Sequence, residues 1–73
     1  MESRIAKNIK RIIREQGVKQ YVIAQRAGYT DKQFSDMVNG RKIIVADDII
    51  PIANALGCEP AELLDLGVKK SQV

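Results

Sequence analysis

The stretch QYVIAQRAGYTDKQFSDMVNG, residues 20–40, decides how this sequence reads. Before Gly28, the apolar residues Val22, Ile23 and Ala27 recur on one side of a helix of about two turns, too short to persist alone. Glycine is the residue that most readily takes the left-handed backbone just past a helix end, so Gly28 marks the stop. Two residues on, Thr30 is followed at the capping-box spacing by Gln33, a pair whose hydroxyl and amide satisfy each other's exposed backbone donors. A further helix therefore starts at Thr30, carries Phe34, Met37 and Val38 on its apolar side, and closes at the turn signal Asn39-Gly40.

Upstream, Ile5, Ile9, Ile12 and Ile13 recur at helical spacing, while Arg4, Lys7, Arg11 and Arg14 fall on the opposite side; Gly17 ends this amphipathic helix. Downstream, residues 41–45 are aperiodic and rich in β-branched side chains. They read as an extended connector whose isoleucines reach back into the core, with a short strand as the competing assignment. Proline is tolerated in the first turn of a helix and not in its interior, so Pro51 predicts that a fourth helix begins between about Asp48 and Pro51. Ile52, Ala55 and Leu56 form its inner face and Gly57 ends it. Pro60 repeats the logic for a fifth helix with Ala61, Leu63, Leu64 and Leu66 inward and Glu62 near the positive N-terminus. The expected architecture is one all-α domain of five helices over residues 1–66, with residues 67–73 as a flexible tail.

Composition bounds the function. At 73 residues the chain has room for one small domain, and 45% hydrophobic with 29% charged residues is a globular balance. With no histidine and one cysteine, Cys58, neither a disulfide nor a zinc or iron–sulfur site is expected, and the thiol reads as a small buried hydrophobe. No apolar run is long enough to span a membrane and no signal-peptide pattern occurs, so a soluble, cytoplasmic chain without membrane contact is expected. No phosphate-binding glycine loop, nucleophile elbow or Cys-His pair appears, and helix capping accounts for Asp47 and Asp48. The reading is therefore of a protein that is not an enzyme and needs no cofactor or small-molecule ligand. Charge is asymmetric: the net +3 divides into +6 over residues 1–42 and −3 over residues 43–73. One face is thereby suited to a polyanion and the other turned away from it.

Two short helices across a tight turn, the second well capped and polar, form a helix-turn-helix at about residues 20–39. Ala24 is small where the helices cross, and Ile23, Ala27, Tyr29, Phe34 and Met37 supply the apolar contacts. On these residues the sequence resembles the lambda-repressor-like (Cro/C1-type) helix-turn-helix family, which includes phage repressors, Cro proteins and many small bacterial regulators. The resemblance runs from about Ile5 to Leu66, because residues 52–57 (IANALG) and 62–64 (ELL) are similar to the family's last two helices. Pro51 resembles the phage-repressor subgroup. The sequence departs from the pattern at Phe34, where a β-branched residue is usual, and at Asp31 and Asp36, acidic residues on the helix that faces DNA.

The resemblance implies that helix three, Thr30 to Asn39, enters a major groove and reads base edges while the preceding helix holds the backbone. Chemically, Lys32 can donate to guanine, Gln33 can pair with adenine through two bonds, and Asp36 can accept from cytosine. Each has a plain alternative. Gln33 is equally accounted for by its capping box, Asp31 by the helix dipole, and Lys32 by solvation. The resemblance also implies that Gln20, at the start of helix two, holds a phosphate, with Asn39, Arg41 and Lys42 as a second clamp and Lys19 and Tyr21 as further candidates. The stripe of Arg4, Lys7, Arg11 and Arg14 reads as an ordinary solvated face. The expected partner is double-stranded DNA, a palindromic operator bound by a homodimer that meets near the ends of helices four and five, with the chain acting as a repressor-like transcriptional regulator. The competing reading is a protein-interaction module, such as an antitoxin-like partner on the same scaffold.

Overall fold

The first helix exists because a hydroxyl precedes an isoleucine stripe. In the computed structural model, which describes residues 3–64, the Ser3 hydroxyl accepts from the Ala6 N–H at 3.0 Å. Helix α1 (Arg4–Gln16) then runs to Gly17 with Ala6, Ile9, Ile12 and Ile13 buried. α2 (Gln20–Ala27), α3 (Asp31–Val38), α4 (Ala46–Leu56) and α5 (Pro60–Leu64) follow, and no strand occurs among the described residues. α2 packs on α4 and α3, while α1 closes the other side against α3 and α5. Where these layers meet lie Ile9, Ile23, Phe34, Met37, Val38, Ile52 and Leu63, each with 1% exposure or less. No charged or polar residue is buried among the described residues, so apolar burial and packing hold the domain. Ala24, fully buried, allows α2 and α3 to approach closely.

Gly28 has φ +89°, and two backbone bonds close the helix end there: Gly28 N–H to Gln25 O at 3.1 Å and Tyr29 N–H to Ala24 O at 2.9 Å. This is the paired-bond arrangement that satisfies the last carbonyls of a helix. It turns the chain so that Tyr29 stacks on Phe34, ring centroids 6.2 Å apart. The Tyr29 hydroxyl donates to Asp48 Oδ1 at 2.6 Å, joining the turn to the start of α4.

Four expectations need correction. α4 begins at Ala46, two residues before the earliest expected start, and Pro51 sits at its sixth position, inside the helix. The early turn is supported by Asp48, whose Oδ2 accepts from the Val45 N–H at 3.0 Å, and by acidic side chains at the positive helix end. The connector forms no strand, but it bends at Arg41 and Lys42 rather than running extended throughout, and of its isoleucines only Ile44 packs on the core; Ile43 is 80% exposed. In α5, Leu63 is buried, whereas Leu64 faces outward because the short helix docks on one side only. Cys58 is half-buried rather than fully buried. It packs on the core, and burial first, then the charges of Glu62 and Glu59, push its thiol pKa up. The inward placement of Leu66 and the tail at 67–73 lie outside the described residues.

Candidate nucleic-acid interface

Helix α3 buries Phe34, Met37 and Val38, so the 100° step per residue turns Lys32 and Asp36 directly outward, with Asp31 and Ser35 on the flank towards α2. Its N-terminus carries the expected capping box. Gln33 N–H donates to Thr30 Oγ1 at 3.1 Å, and the Gln33 amide oxygen accepts from Thr30 N–H at 2.9 Å. Since a two-bond contact to adenine needs that same oxygen, Gln33 reads a base only by leaving its cap.

The start of α2 and the outer flank of α3 enclose a cleft of about 300 Å³ lined by Lys19, Gln20, Tyr21, Ala24, Asp31 and Ser35. Three of the residues expected at phosphate thus stand beside one expected at a base. Tyr21 is half-exposed, and the first backbone N–H groups of α2 lie beside Gln20, a suitable place for a phosphate oxygen. Ser35 was missed by the sequence reading, although its spacing four residues after Asp31 was there to be used.

At the far end of α3 a second group forms. Gly40 has φ +81°, and its N–H reaches Met37 O at 3.3 Å while the Arg41 and Lys42 N–H groups donate to Asp36 O at 2.8 and 3.1 Å. This turn brings the Arg41 guanidinium to 3.1 Å from Asp36 Oδ1, while Lys32 Nζ reaches Asp36 Oδ2 at 3.2 Å. The Lys32 ammonium and then the Arg41 guanidinium hold the Asp36 carboxyl below the usual carboxylate range. Asn39 donates to Ser35 Oγ at 3.2 Å and accepts from Lys10 Nζ at 3.5 Å, which brings α1 to the same end. Lys10 was also missed: on the sequence it lies at the margin of the helix-one stripe, and only the packing of α1 on α3 places it here. Lys7, Asn8, Lys10, Arg11 and Arg14 line a shallow groove on the outer side of α1, where Arg11 pairs with Glu15 at 3.2 Å.

The structure therefore brings Gln20, Lys19, Tyr21 and Asp31 together at one end of α3 and Lys32, Asp36, Asn39, Arg41 and Lys42 along its face and far end. Among the described residues no group of three possible metal-ligating side chains occurs, and no helix is long and apolar enough to cross a membrane.

A family model for the Cro/C1-type helix-turn-helix DNA-binding domain matches residues 8–67. The crystal structure of the restriction-modification controller protein C.AhdI from Aeromonas hydrophila superposes with a TM-score of 0.76, covering 82% of this chain and 91% of that one at 22% identity. At that identity the likeness speaks for the fold. No curated protein matches the sequence significantly.

Proposed function

This chain belongs to the Cro/C1-type helix-turn-helix DNA-binding family, and from that premise we propose that it is a sequence-specific regulator of transcription that reads duplex DNA with α3. The observation that carries this reading is the juxtaposition of an outward α3 face with polar or cationic groups at both of its ends. Gln20 and Lys19 stand at the start of α2, and Asn39, Arg41 and Lys42 stand after α3. Phosphate contacts at two separated points fix the height and tilt of a helix in the groove, and only side chains between those points then reach base edges.

Lys32 and Gln33 are assigned to the bases, with Asp36 beside Lys32 on the outward face and Asp31 on the flank towards α2; Gln20, Asn39, Arg41 and Lys42 are assigned to phosphates, with Lys19 and Tyr21 beside Gln20. The resemblance to a controller protein in overall fold supports a regulatory role. A single domain of this size covers one half-site, so a homodimer on a palindromic operator is the arrangement that supplies enough contact for tight binding. Ile50 on α4 and Leu64 on α5, both exposed, fit the contact between protomers. This is a binding module with no reaction to perform and no resident cofactor, working wherever cytoplasmic DNA is accessible.

Selection of bound duplexes from a random pool at fixed salt tests the reading. Enrichment of a two-fold symmetric sequence is the expected result. Failure to retain any duplex at low salt overturns it.

A further inference from the structure

The one carboxylate at the centre of the α3 face is held by two of the cations assigned to DNA. Asp36 receives Lys32 on one oxygen and Arg41 on the other, at 3.2 and 3.1 Å, and its own backbone carbonyl anchors the Arg41 and Lys42 N–H groups. Lys32 and Arg41 remain largely exposed, at 85% and 67% of their side-chain surface, whereas Asp36 keeps only 25%. The anion is thus partly covered by the cations, and the cations still face solvent. A carboxylate offering two oxygens to a lysine and an arginine presents the same acceptor chemistry as a phosphate.

We propose that Asp36 is a resident stand-in for DNA phosphate and thereby a specificity determinant; this rests on the duplex-binding reading above. In the free protein Asp36 holds Lys32 and Arg41 near where they are needed and neutralises part of their charge. Binding any duplex requires Lys32 to leave for a base edge or Arg41 to leave for a phosphate, which uncovers the Asp36 oxygens against a polyanion. On a site that presents a cytosine amino group to α3, those oxygens gain a donor. On other sequences they face phosphates and acceptor edges with no donor in return. The carboxylate therefore weakens indiscriminate binding more than it weakens binding to the right site.

The test compares wild type, Asp36→Asn, Asp36→Glu and, as a control for loss of one negative charge remote from α3, Glu59→Gln. Each is titrated with the duplex selected from the random pool and with a scrambled duplex of the same length, over a range of salt. Asp36→Asn is expected to tighten binding to the scrambled duplex by about fivefold, the order expected from releasing two exposed ion pairs. Its dependence on salt should steepen by up to about one unit of log K per log salt. The ratio of selected to scrambled affinity should fall by about tenfold, because the scrambled duplex gains affinity while a neutral amide oxygen accepts from the cytosine amino group more weakly than a carboxylate does. Asp36→Glu should restore part of that ratio, and Glu59→Gln should leave it unchanged. A ratio in Asp36→Asn within twofold of wild type, or the same change in Glu59→Gln, overturns the proposal while leaving the DNA reading standing. Wild type that binds neither duplex overturns the DNA reading itself.

Discussion

The turn between α2 and α3 can be tested with one graded substitution series. Gly28 sits at φ +89°, and a Cβ built there meets nothing within 4 Å. Steric contact therefore adds nothing to the cost of a side chain; the backbone conformation sets it alone. For an L-residue the left-handed region costs roughly 1–2 kcal/mol, less for asparagine and more for a β-branched residue. The smaller freedom of alanine in the unfolded chain gives back part of this, about 0.4–1 kcal/mol. Gly28→Ala should therefore lose about 1 kcal/mol, Gly28→Asn less, and Gly28→Val about 2–3 kcal/mol. For a domain of this size each kcal/mol moves Tm by roughly 4–8 °C, so the series is resolvable by thermal melts followed by far-ultraviolet circular dichroism. The informative quantity is the rank order. Equal losses in all three variants would mean that a clash sets the cost, and an unperturbed Gly28→Val would mean that the chain does not pass through a left-handed turn at all. Either outcome refutes the placement of the turn.

Three further outcomes are expected. Arg41→Ala should weaken binding to all duplexes about equally and flatten the salt slope by about one unit, measured by fluorescence anisotropy; a changed base preference would argue against a phosphate role. Burial and the Asp48 carboxylate raise the Tyr29 pKa from 10.0 to about 12, so the folded state holds the phenol proton more tightly than the unfolded one. The resulting stability is intact below pH 10 and disappears as pH rises towards 12. Tyr29→Phe, which removes the bond to Asp48, should cost about 1 kcal/mol at neutral pH, with the difference from wild type vanishing across that alkaline window in urea titrations. Pro51→Ala gives the Asp47 carbonyl a helical donor and removes a ring from a helix interior, so it should raise Tm, by up to about 2 kcal/mol of added stability; a lower Tm would mean that the proline ring is needed where it packs.

Local rules carried most of the fold. Thr30 with Gln33, and Gly17, Gly28 and Gly57 after apolar runs, mark helix ends through interactions within a few residues, and the structure reproduces those ends. The rule for Pro51 misled because it describes where proline costs least, whereas Asp48 and the packing of Ile49 and Ile52 outweigh one missing bond. Leu64 and Ile43 look like core residues by type, yet a short helix and a short connector each offer only one buried side, which sequence spacing does not reveal over so few residues. At the site, the four-residue spacing of Lys32 and Asp36 fits an ion pair on one helix face, which the sequence reading passed over in favour of base contacts. The reach of Arg41 to the same carboxylate was not legible, since it depends on the left-handed turn at Gly40, and Lys10 is brought to Asn39 by packing between helices far apart in the chain.

Helix α1 also ties off the last two described helices. Asn8 donates to the Leu63 carbonyl at 2.9 Å and Gln16 to the Leu56 carbonyl at 2.6 Å, so its side chains supply donors to carbonyls at the last residues of α4 and near the end of α5. During synthesis α1 emerges before α4 and α5, so its two amides wait for those later helices before they find their acceptors. Until about residue 56 has emerged, α2 lacks the α4 side on which it packs, and until about residue 63 α1 lacks α5, although α1 and the helix-turn-helix can already meet. A nascent chain stalled before that point should be open to proteases within α1, and one stalled well beyond it should be protected there.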